Sequence, residues 1–345
     1  MKKKKRRKKK KVRNNTKAAN FDTIIFDLDG VLVDVSNSYL VLPFVVTQKF
    51  YNEILGLDIL KVILDTDDVT YIKNIGGFNN DWDITYYFID VIFQYIFPEV
   101  NLKEELDIKH KVSFLKDIVK RERMKYKEVN VKNIVKGIFS GNNNNECFKL
   151  SRWLKSGSED IKENMIKRLF QEMYLGKDNL KKHYNLAPMF YDGKGYISKE
   201  KLLISRKIIK NLSSRHMLAL ATGRDRVDTE LCLKIQDLKR FFKVKVTDDD
   251  VIEMELKNNR KISLRKPNPF IVEKAINDIK SRHKRILYIG DNLDDVRAAN
   301  SLKNKYEISS AGVLYETPDK KEKEKLFNKL GVDIIFHKPQ DLLKI

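Results

Sequence analysis

The hydrophobic positions change rhythm along the chain. Near the start, FDTIIFDLDGVLVD holds a short apolar run, Thr23 to Phe26, flanked by carboxylates. It predicts a buried strand that ends in a turn at Gly30. From about residue 36 to 195 apolar residues recur at helical spacing and β-like runs are few. Leu40, Phe44, the Val45–Val46 pair, Phe50 and Leu55 outline one helix. Further helices are expected over about 83–97, stopping before Pro98, and over 103–125 and 159–175. Gly141 to Asn145, a glycine and four asparagines, reads as a surface loop.

Beyond residue 198 the texture becomes alternating. Helices are expected over 198–212, 225–238, 269–280 and 293–302, and strands in HMLALATGR, FFKVKVT, RILYIGD, EISSAGVLY and VDIIFH. Strands separated by helices of this length predict an α/β fold whose parallel sheet is covered on both faces. The first strand joins that sheet. The expected organisation is a tail over residues 1–19, an α/β core over 20–35 and 196–345, and a helical block inserted over 36–195.

Ligands of such sheets gather beyond the C-terminal ends of the strands, and four strand ends here carry polar chemistry. FDLDG places Asp27 and Asp29 at the end of strand one, and alternate residues of an extended segment point the same way. ALATGR ends in Thr222, Gly223 and Arg224; RKPNP sets Lys266 before a helix; YIGDNLDD carries Asp291, Asp294 and Asp295. A carboxylate can attack phosphorus and a second can protonate the leaving oxygen. An anionic nucleophile meeting an anionic phosphate needs compensating charge, and hard oxygen ligands suit Mg2+. A hydroxyl, backbone N–H groups and a lysine would steady the remaining phosphate oxygens. Each motif alone is weak; the four in this order, on one end of one sheet, point to phosphoryl transfer.

Composition narrows the setting. The 345 residues are 42% hydrophobic and 34% charged, enough for a sizeable core. The most apolar run, Tyr86 to Phe97, is too short to span a bilayer and carries Asp90 and Gln94. No apolar segment follows the N-terminal basic run, so no signal peptide is expected. Cys147 and Cys232 stand in unrelated contexts, which suits a reducing compartment and makes the cytoplasm the default. The net charge is +21, and residues 1–17 supply twelve Lys and Arg with no acid. That block repels itself and is expected to be disordered. A nuclear-localisation signal, a tether for nucleic acid or another polyanion, an anionic-membrane tether and a plain solvated extension all fit it. His183, His216 and His283 have no partner spacing and read as structural or exposed.

FDLDGVLVD, TGR, KPNP and GDNLDDVRAAN resemble the four motifs of the haloacid dehalogenase-like superfamily of hydrolases. The resemblance covers roughly residues 20–35 and 195–340. It implies a Rossmann-like three-layer core with an all-helical cap inserted between the first two motifs. It further implies Asp27 as nucleophile, Asp29 as general acid/base, Thr222 as the phosphate-binding hydroxyl and Lys266 as the motif-three lysine. Asp291 matches the metal-binding aspartate and Asp295 the second acid of that motif. Magnesium in the family also takes the first aspartate's carboxylate and the second one's backbone carbonyl, here Asp27 and Asp29. Members that cleave carbon–halogen bonds lack the second aspartate and need no magnesium, so Asp29 points to the phosphatase type.

The helical block adds a second resemblance. VDVSNSYL and KNIGGFNNDWD are similar to stretches of an uncharacterised phosphatase-like subgroup, some of whose members lie beside histidine-biosynthesis enzymes. Leu40 departs from the arginine expected after the Ser–Tyr pair. On physical grounds Gly77, Asn79, Asn80 and Trp82 are specificity candidates: glycine frees the backbone, the amides donate and accept, and the indole offers a stacking face. Arg224 and Arg226 either meet a substrate anion or sit in a helix's first turn. The expected activity is Mg2+-dependent hydrolysis of a small phosphomonoester, with phosphoglycolate, a sugar phosphate or histidinol phosphate as candidates. A phosphomutase and a polynucleotide phosphatase stay open, as does a non-catalytic protein tethered to nucleic acid by its tail.

Overall fold

The computed structural model describes residues 21–57, 81–97, 106–122, 149–155, 160–259, 262–279, 285–315 and 319–345, with a few single positions between them. The basic tail, the asparagine run and the Gly76–Asn80 stretch lie outside these residues.

The first strand, β1, runs Thr23–Phe26 and is buried throughout. A two-residue strand, β2 (Val33–Asp34), follows the turn at Gly30. The helices α1 (Leu42–Lys49), α2 (Asp81–Ile96), α3 (Ile108–Glu122), α4 (Lys149–Lys155) and α5 (Met165–Tyr184) come next in the chain. Then β3 (Lys201–Leu202) pairs antiparallel with β2, Val33 opposite Leu202. The chain thus leaves and re-enters the sheet region at one point, with the helices between.

The rest alternates: α6 (Arg206–Ser213), β4 (Met217–Ala221), α7 (Arg226–Ile235), β5 (Val244–Val246), α8 (Asp248–Lys257), α9 (Phe270–Asp278), β6 (Ile286–Gly290), α10 (Leu293–Ser301), β7 (Ile308–Val313), α11 (Lys320–Lys329) and β8 (Ile334–Phe336). Six parallel strands form a sheet ordered β5-β4-β1-β6-β7-β8. This is the α/β fold with a parallel sheet and helical layers that the alternation predicts.

The period of two sorts the strand residues onto two faces. Ile24 and Phe26 of β1, Leu218 and Leu220 of β4, and Leu287 and Ile289 of β6 join one apolar cluster, which continues into α2 and α5 through residues such as Phe88 and Phe170. Ile25, Ala219, Ala221, Ile286 and Tyr288 face the other side, against α9 and α10. Strands buried on both faces read as continuous apolar runs, which is why β1 and β6 were legible.

Several boundaries moved for local reasons. The helix expected over 198–212 begins only at Arg206, where the Ser205 side chain accepts from the Ile208 amide and caps it; the residues before it are spent on the β2–β3 pair. The helix expected over 159–175 starts behind the Asn164 cap and breaks at Gly176 (φ 73°, ψ 167°); a second helical stretch continues to Tyr184, closed by Asn185 in the left-handed region. Helices α4, α8 and α11 were not anticipated. Among the described residues no helix is long and apolar enough to cross a membrane.

Candidate functional site

β1 lies at the centre of the sheet, between β4 and β6, so the chain fans out to both sides of it. Such a switch in direction opens a crevice at the C-terminal strand ends. Asp27 sits there: its backbone N–H donates to the Ile289 carbonyl of β6 (2.8 Å), placing it level with the last turn of that strand. Thr222 follows β4 and donates its N–H to the Val246 carbonyl (3.0 Å). Asp291 follows β6, and Lys266 precedes α9. Three strand ends and one loop thereby meet.

Asp27 is buried, and its Oδ1 lies 3.1 Å from the Lys266 Nζ. Lys266 also reaches Asp295 Oδ1 at 2.7 Å and is itself only 13% exposed. Asp295 is fixed from a third side by the Tyr288 hydroxyl (2.8 Å), and its Oδ2 accepts from the Asn292 N–H that opens α10 (3.0 Å). One lysine therefore serves two buried carboxylates. Burial pushes the Asp27 carboxyl up; Lys266 pulls it down by less, Asp295, Asp29 and Asp291 add repulsion, and the result is about 8. Burial opposes the charge of Lys266, but Asp27 and Asp295 outweigh it and hold the lysine protonated, well above its usual range.

Asp27, Asp291 and Asp295 can each offer one oxygen, and these oxygens lie within 4.8 Å of one another. Among the described residues no donor hydrogen-bonds the buried Asp27 Oδ1, its contact with Lys266 being ionic. A buried carboxylate oxygen without a hydrogen-bond donor, in a set of three hard oxygen donors, fits a divalent cation. Gly30 makes room for this. Its φ is +68°, and a Cβ there would lie 2.7 Å from the Asp291 carboxyl, so the turn after Asp29 closes directly on Asp291. The Lys323 ammonium of α11 approaches the same carboxyl at 3.6 Å. Asp294 stands apart, paired with Arg297 (2.6 Å).

Asp29 does not join this oxygen set. Its side chain is 29% exposed, and Oδ1 accepts from Arg224 Nε at 2.7 Å. Arg224 was expected at the substrate. It is instead 3% exposed, with its donors taken by Asp29, the Tyr174 hydroxyl (2.6 Å) and both oxygens of Glu200 (3.0 and 3.2 Å). The physical reason is its neighbours: two carboxylates and two tyrosine rings enclose the guanidinium, which satisfies a buried cation better than a solvent cleft does. The Arg224 N–H meets the Thr222 hydroxyl at 3.3 Å, and Gly223 is exposed beside it. Arg226 is on the surface, near Asp250 and Glu253.

Trp82, expected to stack on substrate, is 6% exposed inside the helical block. Its ring meets Phe170 edge-on at 6.3 Å, and the Lys167 ammonium covers it at 4.2 Å from the centroid. Being second in α2, it falls on the helix face turned to α5. Gly77, Asn79 and Asn80 lie outside the described residues, as does His283. His216 is buried with Nδ1 2.7 Å from the Phe21 carbonyl oxygen, remote from the acids. Tyr288, Glu200 and Tyr174 were missed. Tyr288 carried a faint signal, a tyrosine inside an apolar strand one residue before IGD; the other two had none, since their roles depend on long-range folding.

Residues 204–306 match the family model of the haloacid dehalogenase-like hydrolases. A protein solved by X-ray crystallography as a target of the Northeast Structural Genomics Consortium is 18% identical, covering 94% of this chain and 97% of its own, with a TM-score of 0.59. Phosphatase Tt82 from Thermococcus thioreducens is 19% identical over 89% of this chain and 98% of its own, with a TM-score of 0.49. No curated protein sequence matches. The matched stretch holds α6 through α10 and so three of the four strand-end motifs, while β1 between β4 and β6 supplies the fourth. Over residues 204–306 the chain is similar to the haloacid dehalogenase-like hydrolases.

Proposed function

We propose that this chain is a phosphatase of the haloacid dehalogenase-like type that transfers the phosphoryl group of a small phosphomonoester to Asp27 and then to water. A carboxylate oxygen of Asp27 attacks phosphorus, the P–O bond to the ester oxygen breaks, and that oxygen takes its electron pair and a proton from Asp29. The aspartyl-phosphate is then opened by a water whose proton returns to Asp29, while its oxygen bonds to phosphorus and the P–O bond to Asp27 breaks. Inorganic phosphate leaves and both carboxyls are restored. Lys266 and the Thr222 hydroxyl, with backbone N–H groups beside them, would bind the spectator phosphate oxygens. Asp27, Asp291 and, behind them, Asp295 would hold Mg2+, which when bound supplies positive charge against the incoming anion.

The observation that carries this reading is the position of Asp27. It is a buried carboxylate at the C-terminal end of the central strand, 3.1 Å from a lysine and grouped with two further acids, and Asp29 stands two residues on with an exposed side. A structural cluster would not need two more acids beside one that burial already penalises. Residues 36–195 are proposed as the cap that excludes water during phosphoryl transfer and limits substrates to small molecules; phosphoglycolate, a sugar phosphate and histidinol phosphate are the candidates. The test is phosphate release from a panel of phosphomonoesters, with and without Mg2+, comparing the native chain with Asp27→Asn. Mg2+-dependent release that vanishes in the variant supports the proposal. A folded native protein inert across a wide panel would sink it.

A further inference from the structure

The acid/base Asp29 is held in an unusual way. One of its oxygens, Oδ1, is pinned by Arg224 at 2.7 Å; the other accepts no hydrogen bond from the described residues, and the side chain keeps 29% of its exposure. Arg224 itself cannot turn away. Glu200 engages it through both oxygens, the Tyr174 hydroxyl takes a further N–H, and the guanidinium lies 4.6 Å from the Tyr39 ring centroid and 5.8 Å from that of Tyr174.

The origin of these partners matters. Tyr39 follows β2, where the chain runs out toward the helices; Glu200 precedes β3, where it returns; Tyr174 stands on α5. The two crossings are tied to each other as well, since the Ser38 hydroxyl donates to Glu200 Oε1 at 2.9 Å and Tyr174 reaches the same oxygen at 3.1 Å. Tyr39 in turn donates to the buried Asp228 of α7. A buried arginine facing two carboxylates is costly unless all its donors are used, and here they are shared among Glu200, Tyr174 and the partly exposed Asp29. If the network were only a structural ion pair, Glu200 alone would neutralise Arg224 and Asp29 would be superfluous.

We propose that Arg224 is the positioning residue for Asp29, and that Glu200, Tyr174 and Tyr39 anchor it at both chain crossings, so that the free oxygen of Asp29 is aimed by the junction between core and cap; the role assigned to Asp29 rests on the phosphatase reading above. A carboxyl with one oxygen pinned presents the other in a fixed direction, which is what proton transfer to a leaving oxygen requires.

The tests are Arg224→Lys and Glu200→Gln, each checked for a native melting curve. kcat/KM, which reports phosphoryl transfer to Asp27, is measured for a simple alkyl phosphate and for 4-nitrophenyl phosphate, whose leaving group needs no proton. General acid–base assistance contributes typically about 100- to 10,000-fold, so displacing Asp29 should cost about 100-fold on the alkyl ester and under about 10-fold on the aryl one. In an Asp29→Asn background Arg224→Lys should add no further loss on the alkyl ester. Equal losses on both esters, or losses that multiply in the double variant, would overturn the proposal. A crystal structure of Arg224→Lys decides the geometry without any assay: the Asp29 carboxylate should swing from its place while the β1 backbone stays, and an unmoved carboxylate contradicts the inference. A native enzyme inert on both esters refutes the phosphatase reading instead, and the crystal structure still rules on Arg224.

Discussion

The ammonium of Lys266 lies 3.1 Å from Asp27 and 2.7 Å from Asp295, so one cation stands between the proposed nucleophile and an acid in the first turn of α10. That arrangement explains why two carboxylates, both nearly out of water, can sit side by side. It also makes the lysine doubly important. Lys266→Met should lower kcat by roughly 100- to 1,000-fold, the usual cost of losing one electrostatic stabiliser. It should also destabilise the fold by about 3–5 kcal/mol, because buried acids lose their counter-charge. Steady-state kinetics and urea unfolding of the variant check both. A variant of native stability would mean that Asp27 and Asp295 do not depend on Lys266.

Gly30 offers a second test. Its φ of +68° costs an alanine about 1–2 kcal/mol, and the new methyl would press on the Asp291 carboxyl. Gly30→Ala is therefore expected to keep the fold but weaken Mg2+ binding about 10- to 100-fold, as changes around a metal ligand do. Calorimetric titration with Mg2+ reads this directly, and unaltered affinity would separate Asp291 from the cation.

The fold was legible where burial dictates sequence and obscure where it does not. β1 and Asp27 stood out because a central parallel strand must be apolar on both faces and then turn polar abruptly. Helix α8 opens on three consecutive acids, Asp248 to Asp250, which carry no apolar signal; they are its first turn, where acids suit the helix dipole. Helix α11, KKEKEKLFNK, buries only Phe327 and so shows almost no apolar stripe. The same distinction runs through the site. Asp27, Asp29, Asp291 and Asp295 announce themselves by strand-end spacing, whereas Glu200 and Tyr174 reach Arg224 only because the chain returns to β2 after more than a hundred residues. Trp82 misled because an indole beside glycines and asparagines suits a binding loop as well as a packed helix start.

Asp90, inside the helical block, makes a prediction about pH. Its Oδ1 accepts from the Ser151 N–H (2.9 Å), and burial pushes its carboxyl up to about 6. The folded state therefore prefers the protonated acid. This contribution to stability is complete below the unfolded value near 4 and is lost as pH rises through about 6. Asp90→Asn keeps an acceptor for Ser151 and removes the charge, so it should stabilise the protein by about 1–3 kcal/mol at pH 7 and by little at pH 4. Denaturant unfolding at the two pH values measures the difference. A variant less stable at pH 7 would show that the charge is accommodated.

The central claim is covalent chemistry at Asp27, and the most direct measurement is to trap it. The enzyme is mixed with its best phosphomonoester and Mg2+, quenched in acid during turnover, reduced with borohydride and digested for mass spectrometry. An acyl phosphate is reduced by borohydride where a free carboxylate is not, so the account predicts homoserine in the tryptic peptide Ala18–Lys49 at the place of Asp27 and nowhere else. Rapid phosphate release with every Asp27 peptide unreduced would mean that water attacks phosphorus directly, and the aspartyl-phosphate account would be wrong.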